Sequence, residues 1–231
     1  MKTQLARSLG IMNLERGPSP PKPRLGNMLN PATFDFPVIE ETVEGGWADA
    51  VVRGNAALEP ACIAAAKRLV ERGAVAISAN CGFFMRHQAA VAAAVTVPVV
   101  LSSLLLLPTL LRQFPRPAKL AVLTADSTHL GEDLLEIENP EDRARVVIGG
   151  IEGGALWRNE MRRPPVPTTT AEIEEDVREC ILRLRAAHPE IASLLFECTG
   201  FPAVATEMRS LTGLPIYDVN TLCRMAFASA A

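Results

Sequence analysis

The sequence predicts an α/β fold built from two pseudo-symmetric parallel-sheet halves, with a cleft between them. Two observations carry this. Apolar strand-like runs alternate with helical periodicity along the chain, and the chain repeats itself around two cysteines. Around the first, Ala79-Asn80-Cys81-Gly82-Phe83 follows an apolar run at 74–77, and Pro98 lies 17 positions beyond Cys81. Around the second, Phe196-Glu197-Cys198-Thr199-Gly200-Phe201 follows an apolar run at 191–195, and Pro215 again lies 17 positions beyond Cys198. An apolar stretch adjoins each proline, so one thiol occupies the same corner of each half.

The elements follow in order. Residues 9–12 read as a first strand. Segment 17–37, with Pro18, Pro20, Pro21, Pro23 and Pro31, reads as an extended loop, a lid or wall over a site. A strand at 36–43 comes next. Leu58, Cys62, Ala65, Ala66, Leu69 and Val70 give the helical spacing of 58–72, which Gly73 ends. A strand at 74–78, a helix at 84–95, a strand at 98–101 and a helix at 104–112 complete the first half, and Pro115 and Pro117 mark the crossing. The second half predicts strands at 119–124 and 146–149 with a helix at 130–137 between them. A helix at 170–187 opens on a capping-box pattern, Thr169 or Thr170 followed by Glu. A strand at 191–196, a helix at 204–211, a strand at 215–217 and a last helix close the chain. The expected organisation is 1–114, 115–212, and a terminal strand and helix, 213–231, that return to the first half. Leu222, Met225 and Phe227 on that helix suit either a core or an interface.

Composition narrows the class. The chain has 231 residues, 48% hydrophobic and 21% charged, with a formal net charge of −3. These values suit a soluble globular protein, and no basic stripe points to nucleic acid. Arg143, Arg145, Arg162 and Arg163 read as scattered surface charges. Segment 89–111 lacks charge and is long enough to span a bilayer, but Pro98, Pro108 and Ser102-Ser103 interrupt it, and the repeat resolves it into helix, buried strand and helix. Residues 1–14 carry Lys2 and Arg7 and no apolar run of secretory length, so a cytoplasmic location with reduced cysteines is expected. The five cysteines show no zinc spacing, and no metal site is expected.

Cysteine ordinarily packs as a small hydrophobe, and Cys62, Cys180 and Cys223, on apolar helical stretches, are assigned that role. Cys81 and Cys198 differ because each stands just past a strand's carboxyl end, where open α/β sheets bind ligands. Helix N-termini there favour a thiolate and a bound carboxylate. Two facing sulfurs, one thiolate and one thiol, supply a base and an acid on opposite sides of a carbon. That pattern points to a racemase or epimerase needing no cofactor.

Segments 78–82, 120–128 and 195–200, with the loop from Gly26 to Val38, resemble the aspartate/glutamate/hydantoin racemase superfamily over nearly the whole chain. The loop is similar to that of a poorly characterised branch. The resemblance implies Cys81 and Cys198 as the acid/base pair, and Asn80, Gly82, Thr124, Thr199, Asn13 and Thr128 as substrate-binding positions. Asn and Thr at such turns are also common caps. It further implies an isomerase acting on an amino acid, hydantoin or related carboxylate. The alternatives are a cysteine-dependent decarboxylase, a maleate-type cis–trans isomerase, or a non-catalytic carboxylate binder. The expected partner is a small-molecule carboxylate, with no nucleic acid and no membrane, and a homodimer is implied. Cys81-Gly82-Phe83 departs from the Cys-Asn-Thr of many relatives, and Gly200 stands where glutamate racemases have His. Arg158, Arg162 and Arg163 are candidates for a substrate side-chain carboxylate, with a solvated face the plainer role. Phe34, Phe83 and Phe84 suggest an apolar pocket. His87 reads as a surface residue, and Glu197 as a partner of Thr199, of ligand atoms or of a nearby Arg.

Overall fold

A computed structural model describes residues 7–18, 20 and 22–230; Lys2 and Pro21 fall outside them. The first half contains β1 (Ser8–Asn13), β2 (Val38–Thr42), α1 (Ala48–Val52), α2 (Glu59–Glu71), β3 (Ala74–Ala79), α3 (Gln88–Ala94), β4 (Val99–Val100) and α4 (Leu107–Gln113). The second contains β5 (Lys119–Thr124), α5 (Glu132–Leu135), α6 (Pro140–Arg143), β6 (Val146–Gly150), α7 (Ala155–Glu160), α8 (Thr170–Ala187), β7 (Ile191–Phe196), α9 (Ala205–Thr212), β8 (Ile216–Tyr217) and α10 (Val219–Ser229). Two four-stranded sheets result, in the orders β2-β1-β3-β4 and β6-β5-β7-β8, with every pairing parallel. The expected two-half α/β fold is therefore present.

The halves share even their irregularities. The pairing of β1 with β3 slips between Ser8 and Leu9, and that of β5 with β7 slips between Lys119 and Leu120. Met12 pairs with Ala79 and Leu123 with Phe196, so each cysteine lies two residues beyond an equivalent register position. Central strands β3 and β7 are almost wholly buried, which is why they read as continuous apolar runs. α2 turns Cys62, Ala65, Ala66 and Leu69 inward, the stripe its spacing predicts. α8 starts with a complete capping box between Thr169 and Glu172, and it buries Ile173, Val177, Cys180, Ile181 and Leu184.

Several expectations need correction. The predicted helices at 84–95, 104–112 and 204–211 each begin as a 3-10 turn, at Gly82–His87, Ser103–Leu106 and Phe201–Val204. The helix at 130–137 shrinks to α5, which Glu136 ends in a left-handed conformation (φ 49°). Terminal strand β8 stays in the second sheet, because Ile216 and Tyr217 pair with Leu194 and Leu195; α10 packs against β1, β3 and β4. Arg145 is not a surface charge. It is buried and donates to the carbonyls of Leu111 (2.9 Å), Phe114 (2.8 Å) and Ala118 (3.0 Å), stapling the crossing between halves. His87 is buried too, turned inward where the charge of Glu59 reaches it.

The halves also share one core, in which Leu120, Val122, Leu134 and Leu195 pack in a continuous cluster with Phe83, Phe84, Leu104 and Leu107. Among the described residues, no helix is long and apolar enough to cross a membrane.

Candidate active site

The cleft between the sheets brings Cys81 and Cys198 to one cavity, lined also by Gly82 and Thr199. Both cysteines are half-buried, whereas Cys62, Cys180 and Cys223 are fully enclosed. The pseudo-symmetry extends to the sulfurs' partners: the backbone N–H of Phe83 bonds the Cys81 sulfur, and that of Gly200 bonds the Cys198 sulfur. In each half the donor is the residue two positions on, at the start of a 3-10 turn. These amides favour a thiolate, as expected of helix ends, but burial outweighs them. Burial, reinforced by the charge of Glu197, pushes the Cys81 thiol up to about 12. The same two causes, in the same order, raise Cys198 well above its ordinary value. In both halves the surroundings thus favour the neutral thiol over the thiolate.

The residue before each cysteine is polar. Asn80 N–H bonds the carbonyl of Met12 (3.0 Å), and Glu197 N–H bonds that of Leu123 (2.8 Å), so the two are equivalent. Asn80 Oδ1 accepts from Leu14 N–H (2.8 Å). Glu197 Oε2 accepts from Thr124 Oγ1 (2.8 Å), while its Oε1 is buried without a hydrogen-bond partner. Only 1% of Glu197 is exposed. Burial raises its carboxyl to about 7, against the Thr124 hydrogen bond and the Arg86 charge.

Gly82 is a glycine for a spatial reason. A Cβ there would collide with Glu197 Oε1 and sit 2.5 Å from the Glu197 carbonyl oxygen. The hydroxyl of Thr199 donates across the cleft to the carbonyl of Asn80, joining the two strand ends.

The remaining sequence-predicted positions divide. Asn80 and Asn13 line an adjoining outer groove, where Asn13 Nδ2 donates to Glu40. Thr124 is fully buried and spends its hydroxyl on Glu197. Thr128 is turned away and donates to Asp126 (2.5 Å). Of the three phenylalanines only Phe83 faces the cavity; Phe84 is in the core, and Phe34 stacks on Phe36 (centroids 4.9 Å apart). Arg158 bonds the Gly153 carbonyl and Arg163 pairs with Asp49, so neither serves the site.

The cations that do reach the cavity are Arg16 and Arg24. Arg16 makes a two-pronged pair with Glu160 of α7 (2.9 and 3.1 Å), bridging the halves. Arg24, from the proline-rich loop, donates to the carbonyl of Thr168. Trp157 of α7 completes an apolar wall with Leu14, Val52 and Met161. Its indole N–H donates to Asp126 Oδ2 (3.0 Å), which fixes the ring. The loop is thus a wall of the site, anchored where Asn220 Nδ2 donates to the Gly26 carbonyl (2.7 Å). Gly26 has φ +84°, and a Cβ there would lie 2.8 Å from Ala203 Cα, so only glycine allows this approach.

No family model matches the chain. A dimethylsulfoniopropionate lyase of Durusdinium sp. clade D is 30% identical over 224 residues, covering 91% of this chain and 71% of that protein. The chain belongs to the dimethylsulfoniopropionate lyase family. Another member, dimethylsulfoniopropionate lyase 5 of Emiliania huxleyi (strain CCMP1516), is 33% identical over 171 residues, 68% of this chain and 34% of its own length. The chain thus spans about seven tenths of the first relative and about a third of the second. Among solved structures, glutamate racemase from Aquifex pyrophilus matches with a TM-score of 0.60 and 14% identity, covering 96% of this chain and 82% of that one. Unliganded arylmalonate decarboxylase matches at 0.54 and 16%, covering 97% and 94%. These neighbours share the fold of two parallel-sheet halves.

The isomerase expectation is overturned, because the sequence relatives are named lyases. Cysteines at strand ends do not separate the two classes. Racemisation and elimination can both begin with removal of a proton beside a carboxylate, and the base looks the same in each.

Proposed function

We propose that the protein is a cysteine-dependent lyase that splits dimethylsulfoniopropionate, or a close sulfonium carboxylate, by β-elimination. The observation that carries the reading is family membership together with two sulfurs on one cavity. In this reaction a thiolate takes a proton from the carbon next to the carboxylate. The freed electron pair forms the C=C bond, the C–S bond breaks, and its electrons leave on sulfur. The products are acrylate and dimethyl sulfide, and the proton ends on the cysteine, which returns it to solvent. Elimination needs one base, the sulfur on the side of the departing hydrogen.

Such a substrate carries one negative and one positive end. Arg16 and Arg24 suit its carboxylate, while Glu160 and the face of Trp157 suit its sulfonium. The sulfonium also answers the high thiol values. A unit positive charge about 4 Å from the sulfur, at an effective dielectric near 20, favours the thiolate by about 4 kcal/mol, roughly a thousandfold in population. The substrate would thereby help to create its own base.

Gas chromatography of dimethyl sulfide and NMR of acrylate test the reading on the purified chain. Release of both in equal amounts, lost in Cys81→Ala or Cys198→Ala, is the expected result. No dimethyl sulfide from the folded wild type across a panel of sulfonium carboxylates would sink it.

A further inference from the structure

Glu197 stands out among the buried groups because burial alone does not explain it. Its carboxyl sits between the two half-sites, follows the last residue of β7 and directly precedes Cys198, and is pressed beneath Gly82 beside Cys81. One oxygen has the Thr124 hydroxyl; the other is buried with no partner, a condition native proteins avoid unless the group has a task. The equivalent position in the first half is an amide, Asn80, whose oxygen is satisfied by a backbone N–H. Only the second half holds an acid there.

The titratable and charged groups acting on Glu197 and the sulfurs come from every side. Arg86 reaches Glu197 from the 3-10 turn after Cys81, while across the cavity Glu160 acts on both sulfurs, Arg16 on Cys81, and Cys81 itself on Cys198. Glu197 is the second-largest cause, after burial, of the upward displacement of both thiols. An ionised Glu197 and a thiolate therefore oppose each other in a low-dielectric space.

We propose that Glu197 is the positioning residue that governs thiolate formation, a sulfur losing its proton only while Glu197 stands as a neutral carboxylic acid. The balance is simple. With Glu197 already protonated, the S–H bond breaks, its proton passes to solvent base, and the one negative charge of the cluster rests on sulfur. Glu197 acts through the sulfurs and touches no reacting carbon. The inference goes beyond the lyase reading, since it concerns the thiols whatever the substrate.

Alkylation of the intact, folded chain by iodoacetamide tests it without substrate. Peptide mass analysis follows Cys81 and Cys198 separately from pH 6 to 10. In Glu197→Gln the opposing charge is gone, and both sulfurs should alkylate about tenfold faster at pH 8, the rate change that goes with a one-unit fall in the thiol value. Thr124→Val, which removes the hydroxyl holding the ionised form, serves if the first variant fails to fold. It should move the rates the same way to a smaller extent. An unchanged or slowed profile in either folded variant overturns the proposal. Because dimethyl sulfide release is scored separately, failure here leaves the elimination reading standing, and the reverse also holds.

Discussion

Glu197→Gln also makes a stability prediction whose sign is fixed by the structure. The carboxyl's ordinary value of 4.5 rises to about 7 in the fold, chiefly through burial. The folded state therefore holds the proton more tightly than the unfolded chain. This contribution is complete below about pH 4.5 and is lost as the pH climbs through about 7. The span between the two values corresponds to about 3 kcal/mol. Glutamine has no proton to lose, so the variant escapes that loss. Urea unfolding of both proteins at intervals from pH 4.5 to 8.5 isolates the effect, because groups on which Glu197 does not act cancel in the difference. The variant's stability relative to wild type should improve steadily, by about 2–3 kcal/mol over the range. A difference that stays flat with pH would refute the reasoning, whatever its absolute size.

Other outcomes follow from named contacts. Gly82→Ala forces a Cβ against the Glu197 backbone carbonyl; a cost of about 1–3 kcal/mol in urea unfolding is expected, with dimethyl sulfide release falling by more than that destabilisation explains. Trp157→Leu removes the aromatic face offered to the sulfonium, and KM should rise by about 2- to 30-fold while kcat changes less. Arg145→Met leaves the carbonyls of Leu111, Phe114 and Ala118 without their donor, and thermal or urea unfolding should show a loss of about 2–4 kcal/mol with little change in KM.

The fold was legible because its signal is repeated. Two copies of a buried strand, a cysteine and a proline at matched spacing can be read without a structure, and β3, β5, β7 and α8 fall close to where the pattern puts them. Short pieces were not legible. α1 and α7 span five and six residues, under two turns, too little for an apolar period to declare itself. α7 nevertheless delivers Trp157 and Glu160 to the cavity. Arg16 meets Glu160 across 144 positions, and no local pattern announces such a pair. Glu197 did leave a trace, since the repeat sets a polar residue before each cysteine. What it could not reveal is that one of the two is a carboxyl with an unsatisfied oxygen. Arg145 looked like solvent-facing charge for a similar reason: three carbonyls at the ends of other segments claim it, and those ends meet only in the folded chain.

The stapled crossing bears on how molecules come and go. With Arg145 holding the connecting segment and a common apolar interior gluing the sheets, wide hinge-like separation of the halves would break the most buried parts of the protein. The proline-rich strap is fastened too, by Met28 and Phe34 buried in an apolar cluster with Val219 and Cys223, and by hydrogen bonds of Arg24 and Asn220. The cavity is thus enclosed by packed walls on either side, the architecture of a preformed pocket rather than of a hinged one.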